Sequence, residues 1–160
     1  MTTHPALTET EVLETADALV DAFRRTDGDA YFACFDEDAT FIFPDQDARL
    51  ENRAAYERLW YDWVASGWSV LECTSSDRRV QITGDTAVFS HCVHTRIATG
   101  VTETGAEGTD ELHECETIVF HRVLDGRLLA VHEHLSAAGI VVESAPTADT
   151  IPASVPGATG

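Results

Sequence analysis

The chain has 160 residues, 44% of them hydrophobic, which predicts one globular domain with a substantial core. Its formal net charge is −18, and its ten basic residues are all arginine. This composition argues against binding to nucleic acid or anionic membranes, which need a basic surface. No apolar segment could span a bilayer and residues 1–10 lack signal-peptide features, so we expect a cytoplasmic protein. Four widely spaced cysteines predict buried thiols, and neither disulfides nor a zinc site.

Two helices are predicted near the N terminus. Thr8 is a suitable N-cap for the first helix, and apolar residues follow helical spacing through residues 12–23. Gly28 is predicted to end this helix, because glycine readily takes the conformation that follows a last turn. Asp29 is predicted to cap a short second helix, which carries Tyr31, Phe32 and Phe35.

A third predicted helix contains most of the aromatic stripe of the chain. Asn52 can cap this helix, and Gly67 follows its end. Tyr56, Trp60 and Trp63 share one face of it. Such a stripe is either part of the core or a wall against which a ligand stacks.

The period of the apolar residues then changes from helical to strand-like. Residues 36–38 are predicted to turn, 45–50 to form a loop and 100–110 to form a mobile polar loop. Helices followed by strands indicate an α+β fold. The predicted strands are 40–43, 68–76, 78–83, 86–98 and a hairpin over 111–136, with a short edge pairing at 140–142.

The hairpin at residues 111–136 is organised around Asp125 and Gly126. A two-residue Asp-Gly loop predicts a type I′ turn with a positive φ angle at both central residues. Side chains alternate across a strand, so each cross-strand pair shares one face. The predicted pairs are Leu124 with Arg127, Phe120 with Val131, Ile118 with Glu133 and Glu116 with Leu135.

One face of this hairpin has the larger apolar side chains and is therefore predicted to point inward. Glu116 and Glu133 lie on that face, and His121, His132 and His134 lie on the other. The inner face consists of Leu112, Glu114, Glu116, Ile118, Phe120, Leu129, Val131, Glu133 and Leu135.

Glu116 and Glu133 are the first candidates for catalysis. A carboxyl group among large hydrophobic side chains has a raised pKa and can act as a general acid or base. The alternative is a structural ion pair with Arg96, Arg53 or Arg58.

A histidine on the strand at 86–98 is a candidate partner for these acids. The apolar pattern would turn His91 inward, whereas the other face of the strand would present His94. The two alternatives stay open at this stage. Either imidazole could form a proton relay with a glutamate.

His132 and His134 have the spacing of a metal chelate on a strand. A third ligand could be His121, His113 or Cys115, which share their face. The alternative is that these histidines lie on the outer surface of the sheet, at a subunit interface and bonded to Thr117 and Ser136. We prefer this alternative and predict no metal and no cofactor.

Residues 38–44, the tryptophan-rich helix, residues 116–122 and residues 125–136 together resemble the SnoaL-like branch of the nuclear transport factor 2-like superfamily. The resemblance covers about residues 8–140. It implies a cone in which helices pack into a strongly curved antiparallel sheet around an internal pocket. It also implies a homodimer that packs through the outer sheet face, which carries His121, His132 and His134. Because the superfamily includes isomerases, dehydratases, polyketide cyclases and inert assembly domains, the fold alone does not decide the chemistry.

Two subfamilies were compared residue by residue. Ketosteroid isomerases have an aspartate base directly before the proline of the first strand, where this chain has Phe43. Their oxyanion-hole tyrosine falls near Asp21. The anion-binding arginines of the kinase association domain would fall at Ile118 and Leu135, so the resemblance implies neither isomerisation of that type nor an anionic ligand.

The sequence therefore predicts residues 1–7 as an arm, 8–143 as the SnoaL-like domain and 144–160 as a disordered tail. The predicted function is binding of a small, mostly apolar ligand, with cofactor-independent isomerisation, dehydration or cyclisation as the chemistry. The alternatives are a non-catalytic ligand-binding or assembly domain, and a histidine-ligated metal protein. The candidate catalytic residues are Glu133, Glu116, His91 and His94, and the candidate ligand-binding residues are Phe43, Tyr56, Trp60, Trp63, Ile118 and Leu135.

Overall fold

The computed structural model describes residues 4–139, which form three helices and one five-stranded sheet. The strand order is β1-β5-β4-β3-β2. None of the helices in this part of the chain is both long enough and apolar enough to cross a bilayer. The predicted strand at 140–142 and tail at 144–160 lie outside the described residues. The elements are α1 (Glu9–Arg24), α2 (Gly28–Phe32), β1 (Phe35–Ile42), α3 (Arg53–Ala65), β2 (Trp68–Thr83), β3 (Thr86–Val101), β4 (Glu107–Arg122) and β5 (Leu128–Ala137).

Side-chain caps begin all three helices. Thr8 and Asn52 accept backbone N–H groups at the starts of α1 and α3, as predicted. The prediction for α2 was wrong by two residues, because Asp27 and not Asp29 accepts the N–H of the residue three positions on. Gly28 consequently begins α2, and α1 ends earlier, at Arg24.

The sheet is mixed and not wholly antiparallel. β2, β3, β4 and β5 pair antiparallel in turn, whereas β1 pairs parallel with β5. No hairpin joins β1 to β5, so the turn signals of the sequence carried no information about their relative direction.

Several strands continue through predicted breaks. Asp77, with a φ of 49°, lies where the register of β2 against β3 shifts, so the predicted gap is an irregularity within one strand. The predicted loop at 100–110 is mostly strand, because β3 and β4 continue to Val101 and from Glu107. Residues 36–38 belong to β1, although a register shift falls there.

The hairpin between β4 and β5 differs from the prediction at two places that compensate for each other. Val123 and Arg127 close a three-residue loop, and Gly126 has a φ of 90° while Asp125 does not take a positive φ. The type I′ turn was therefore wrong, and Phe120 pairs with Ala130 instead of Val131. A bulge at Val131 adds one residue to β5 and restores the predicted pairing of residues further from the turn, including Ile118 with Glu133 and Glu116 with Leu135.

The core lies between the helices and one face of the sheet. Beyond the bulge, Glu133 lies on this inner face, as predicted. Before the bulge, the side chains of β5 point to the face opposite to the predicted one. Ala130 is therefore completely buried and Val131 only half-buried. Aromatic rings fill much of the interior, with Trp60 stacked on Tyr31 at a centroid distance of 4.9 Å. This arrangement joins α2 and α3 and holds the Tyr31 hydroxyl rigidly at the sheet.

Candidate acid–base site and adjoining aromatic cleft

Glu116 and Glu133 are buried next to each other on the inner face of the sheet, with 7% and 2% of their surface exposed. Glu116 pairs across the strands with Leu135, so Glu133, two residues before Leu135, is its diagonal neighbour on the same face. The two carboxyl groups are hydrogen-bonded to each other. The alternation of β4 and β5 therefore brings together the two acids that the sequence singled out.

His91 is the direct cross-strand partner of Glu116, and its Nε2 atom is hydrogen-bonded to the Glu116 carboxylate. The Nδ1 atom of the same ring lies 2.6 Å from the hydroxyl of Ser75 on β2. His91 is 3% exposed. Ser75 and Glu116 thus hold the imidazole from both ring nitrogens, as in catalytic sites where a histidine must keep one orientation.

Tyr31 approaches Glu133 from the other side. Its hydroxyl donates to the Glu133 carboxyl group and lies 3.1 Å from each of the two oxygens. The hydroxyl of Tyr56 on α3 lies 3.4 Å from that of Tyr31. A continuous hydrogen-bonded series therefore runs from β2 through the sheet to α2 and α3, through Ser75, His91, Glu116, Glu133, Tyr31 and Tyr56.

The environment shifts the pKa values of the two acids in opposite directions. Burial, followed by the negative charge of Glu116, raises the pKa of Glu133 well above its ordinary value. Burial also acts to raise the pKa of Glu116, but hydrogen bonds from Glu133 and His91 outweigh it and hold this pKa below its ordinary value. Of the two carboxyl groups, Glu133 therefore holds its proton more strongly and Glu116 ionises first.

A small cavity opens directly at these groups. It has a volume of about 40 Å³, enough for about one or two water molecules, and Tyr31, His91, Glu116 and Glu133 all contribute to its lining.

A larger cleft of about 290 Å³ adjoins the cavity. The two share Phe23, Tyr56 and Leu135 in their walls, so the acids lie directly behind this part of the cleft wall. Glu114 lines the cleft, and burial, followed by the charges of Glu116 and Asp45, raises its pKa to about 7. The other lining residues are Phe43, Pro44, Asp45, Trp63, Trp68, Ile97 and Leu112.

The arginines that could have neutralised the acids have other partners or positions. Arg53 bonds to the Phe35 carbonyl and to Glu57, and Arg96 bonds to Glu72. Arg58 is exposed on α3. An ion pair between either buried glutamate and an arginine is therefore not present in the described structure.

His94 lies on the outer face of the sheet, where 44% of its side chain is exposed. It stacks on His113 at a centroid distance of 4.2 Å and lies 3.5 Å from a carboxylate oxygen of Glu111. Because His91 is the histidine that faces the acids, His94 is no longer a candidate for their partner.

The histidines predicted as possible metal ligands do not form a cluster of ligand atoms with one another in the described structure. His132 bonds to Thr40, at 2.8 Å, and its ring lies 6.4 Å from that of His134. Within residues 4–139, the one group whose ligand atoms lie within 4.8 Å of one another is His94, Glu111 and His113, all exposed. Two of these three were not in the predicted chelate pair or its possible completions.

The sequence was compared with models of known protein families, and the model of the SnoaL-like domain matches residues 12–140. The chain belongs to the SnoaL-like domain family. No curated protein matches this sequence.

Solved structures similar to this SnoaL-like protein include proteins of isomerase-like and dehydratase-like description, and hub or association domains of CaMKII. A ketosteroid isomerase-like protein from Erwinia carotovora atroseptica superposes with a TM-score of 0.69 at 15% identity, covering 82% of this chain and 98% of the other. The CaMKII hub of S. rosetta has a TM-score of 0.63 at 24% identity, covering 86% and 100%. A dehydratase candidate of the NTF2-like family from Streptomyces avermitilis has a TM-score of 0.63 at 20% identity, covering 81% and 95%. These similarities establish the NTF2-like fold.

In this SnoaL-like protein the six predicted ligand-binding residues fall into two groups. Phe43, Tyr56, Trp63 and Leu135 line the cleft. Trp60 and Ile118 are almost fully buried in the core and line neither the cleft nor the small cavity. Their spacing on helix and strand could not separate a core position from a wall position.

Several residues of the site were not singled out from the sequence. The sequence places Tyr31 on a short helix without indicating a role for it, and it indicates no role for Ser75 or Glu114. Glu114 carried a signal, because it lies on the same predicted strand face as Glu116. Asp21, the position that the isomerase comparison indicated, is exposed and bonded to Arg24 and Arg25.

Proposed function

We propose that this protein binds a small, mostly apolar molecule and acts on it by general acid–base catalysis without a cofactor. The observation that carries the proposal is the contact between Glu116 and Glu133, whose pKa values move apart directly behind the cleft wall. Paired acids with separated pKa values are typical of sites that donate one proton and accept another. The proposed reactions are isomerisation, dehydration or cyclisation.

In the proposed mechanism Glu116 and Glu133 have different roles. The Glu116 carboxylate removes a proton from a carbon next to a carbonyl group of the substrate. For isomerisation Glu133 donates its proton to the carbonyl oxygen; the resulting enol then takes the proton back from Glu116 at a different carbon and returns the O–H proton to Glu133. For dehydration Glu133 donates its proton to a hydroxyl group on the next carbon, which leaves as water while the C=C bond forms. His91 accepts the proton from Glu116 and returns it, while Ser75 keeps the ring oriented.

Hydrogen–deuterium exchange tests this mechanism without knowledge of the natural substrate. Small cyclic ketones incubated with the protein in D₂O should exchange the protons beside the carbonyl, followed by NMR. Glu116→Gln should lower the exchange rate by about 10²- to 10⁴-fold. Glu111→Gln is the matched control, because Glu111 lies on the same strand but on the outer face and is exposed. Exchange that is no faster than in buffer with every ketone would contradict the proposed chemistry.

A second candidate function is a non-catalytic assembly domain, which three structural neighbours favour. These are the S. rosetta hub, a CaMKII association domain from C. elegans and one assigned to that class from Xanthomonas campestris, at 24%, 20% and 16% identity. We propose a homodimer formed through the outer face of the sheet, where His121 and His134 are exposed and His132 is half-buried.

Four free thiols fit a reducing compartment, so the expectation of a cytoplasmic protein is retained here as a proposal.

Light scattering tests the assembly proposal. The wild-type protein should have the mass of two or more chains, and His134→Glu should shift it toward the monomer by placing charges of the same sign across the interface. Glu103→Gln, in the exposed turn between β3 and β4, should leave the mass unchanged. A monomeric wild-type protein at all concentrations would contradict the assembly function and leave the catalytic proposal intact.

A further inference from the structure

The wall of the cleft is a continuous series of five aromatic rings contributed by the helices, the segment after β1 and the start of β2. Neighbouring ring centroids are 4.8 Å apart for Phe43 and Tyr56, 6.2 Å for Tyr56 and Trp63, and 5.6 Å for Trp63 and Trp68. Phe23 completes the series, 6.2 Å from Trp68. All five line the same cleft. Aromatic faces attract cations as well as apolar groups.

The charged groups around this wall are nearly all acidic. Glu114 and Asp45 line the cleft itself, and Glu116 and Glu133 line the cavity behind it. The linings of both spaces, as residues 4–139 define them, contain no arginine, and the chain has no lysine. His91 is the single basic side chain in either lining, and it is hydrogen-bonded to Glu116.

We propose that the ligand of this cleft is an organic cation, namely a protonated amine carried on an apolar body. The inference rests on the proposed function in that it uses the same cleft, and it narrows the ligand class from apolar to apolar and cationic. The body would contact the rings, and the ammonium group would lie beside the Glu114 carboxylate.

Burial and charge argue for a cation over the other two ligand classes. An anionic ligand would lie close to Glu114, Asp45 and Glu116 with no arginine or lysine to compensate, so electrostatic repulsion would oppose it. A neutral ligand would remove water from Glu114 and leave its carboxylate without a partner. An ammonium group supplies the missing partner and also favours the aromatic wall.

The proposal predicts coupling between binding and the ionisation of Glu114. An ammonium ion favours the carboxylate form, so the amine should bind more tightly as the pH rises through about 7, where Glu114 loses its proton. The other titratable groups that line the two spaces are Asp45 and Tyr56 in the cleft, and Glu116, Glu133, His91, Tyr31 and Cys73 behind it. Comparison with Glu114→Gln separates the effect of Glu114 from theirs.

Three probes with the same aromatic body and different head groups test the proposal by calorimetry. They are 2-phenylethylamine, 2-phenylethanol and phenylacetate, which are cationic, neutral and anionic at neutral pH. We expect the amine to bind at least about tenfold more tightly than the alcohol, and phenylacetate not to bind. We also expect the affinity for the amine to rise by up to about tenfold between about pH 6 and about pH 8.

Two matched variants complete the experiment. Glu114→Gln should lower the affinity for the amine about tenfold and remove its pH dependence, and it should not lower the affinity for the alcohol. Glu111→Gln, three residues earlier on the outer face of the same strand, should change nothing. Equal binding of amine and alcohol would overturn the cation inference while leaving a small-molecule pocket, as the proposed function requires. If neither the amine nor the alcohol binds but the protein still catalyses ketone exchange, the inference alone is overturned. If there is neither probe binding nor ketone exchange, the inference and the proposed function are overturned together.

Discussion

The hydroxyl of Tyr31 lies 3.1 Å from both carboxyl oxygens of Glu133, although the two residues are 102 positions apart in the chain. Tyr31 comes from the short helix α2 and Glu133 from the last strand. Because the contact is buried, the Tyr31 hydroxyl supplies the hydrogen bond that a water molecule would supply to an exposed carboxyl group. It fixes the acid of the proposed pair from the helical side, while His91 holds its partner from the sheet.

Replacing Glu133 by glutamine should stabilise the protein at neutral pH. The raised pKa means that the contribution of Glu133 to stability is fully present below its unfolded-state pKa and is lost as the pH rises toward the folded-state pKa. Glutamine stays neutral and can still accept from Tyr31. We expect Glu133→Gln to unfold with a free energy about 1 kcal/mol or more above wild type near pH 7, with a smaller difference near pH 4. Urea unfolding at several pH values measures this, and a loss of stability at pH 7 would contradict it.

The corresponding change at Glu116 should have the opposite sign. Its lowered pKa means that Glu116 contributes stability above its unfolded-state pKa, and that this contribution is lost as the pH falls through the folded-state pKa. Glu116→Gln should therefore cost about 1–3 kcal/mol near pH 7, and the deficit should shrink in acid. Glu111→Gln serves as the exposed control in the same unfolding series. Destabilisation of several kcal/mol in both the Glu116 and Glu133 variants would favour a purely structural pair.

Removing the hydroxyl of Tyr31 should make Glu133 a weaker acid. The hydrogen bond from Tyr31 acts to lower the pKa of Glu133 against the larger effect of burial. In Tyr31→Phe we therefore expect this pKa to rise further and the free energy of unfolding to fall by about 0.5–1.5 kcal/mol. Carboxyl ¹³C NMR of the labelled protein follows the titration directly. An unchanged or lower pKa of Glu133 would show that the contact does not act as described.

Gly100 should tolerate no side chain because α3 ends against it. It has a φ of 82°, and an added Cβ would lie 2.3 Å from the carbonyl oxygen of Ser66. Gly105, with a φ of 81°, has nothing within 4 Å of such an atom. Gly105→Ala should therefore cost about 1 kcal/mol for backbone strain alone, and Gly100→Ala clearly more. Thermal unfolding of both variants isolates the close approach, and equal losses would contradict it.

Much of this site followed from the sequence because strand alternation is a strict rule. The period of two placed Glu116 and Glu133 on one face together with large hydrophobic residues. The predicted register across Asp125 and Gly126 holds there because the bulge at Val131 compensates for the extra residue in the turn. The apolar pattern of β3 correctly favoured His91 for the inner face. Local signals also located the caps at Thr8 and Asn52.

The remaining features depend on contacts between distant segments. No turn connects β1 to β5, so no local signal predicts their parallel pairing. Similarly, no residue near Tyr31 in the sequence indicates a contact with a glutamate about a hundred residues later. Trp60 and Trp63 follow the same helical stripe, yet one is core and the other lines the cleft, because α2 covers only part of α3. Packing geometry decides such cases, and periodicity does not.

The extra residue at Val131 decides which face of the sheet each side chain at the end of β5 points to. On one side of it Ala130 points inward, and on the other side Glu133 does, an odd number of residues later. If Val131 instead paired with Val119 in regular alternation, Glu133 would point to the solvent and His132 and His134 to the interior. A register slip of one residue at this position would exchange an acidic interior for an imidazole-lined one without altering a single side chain of the cleft's helices.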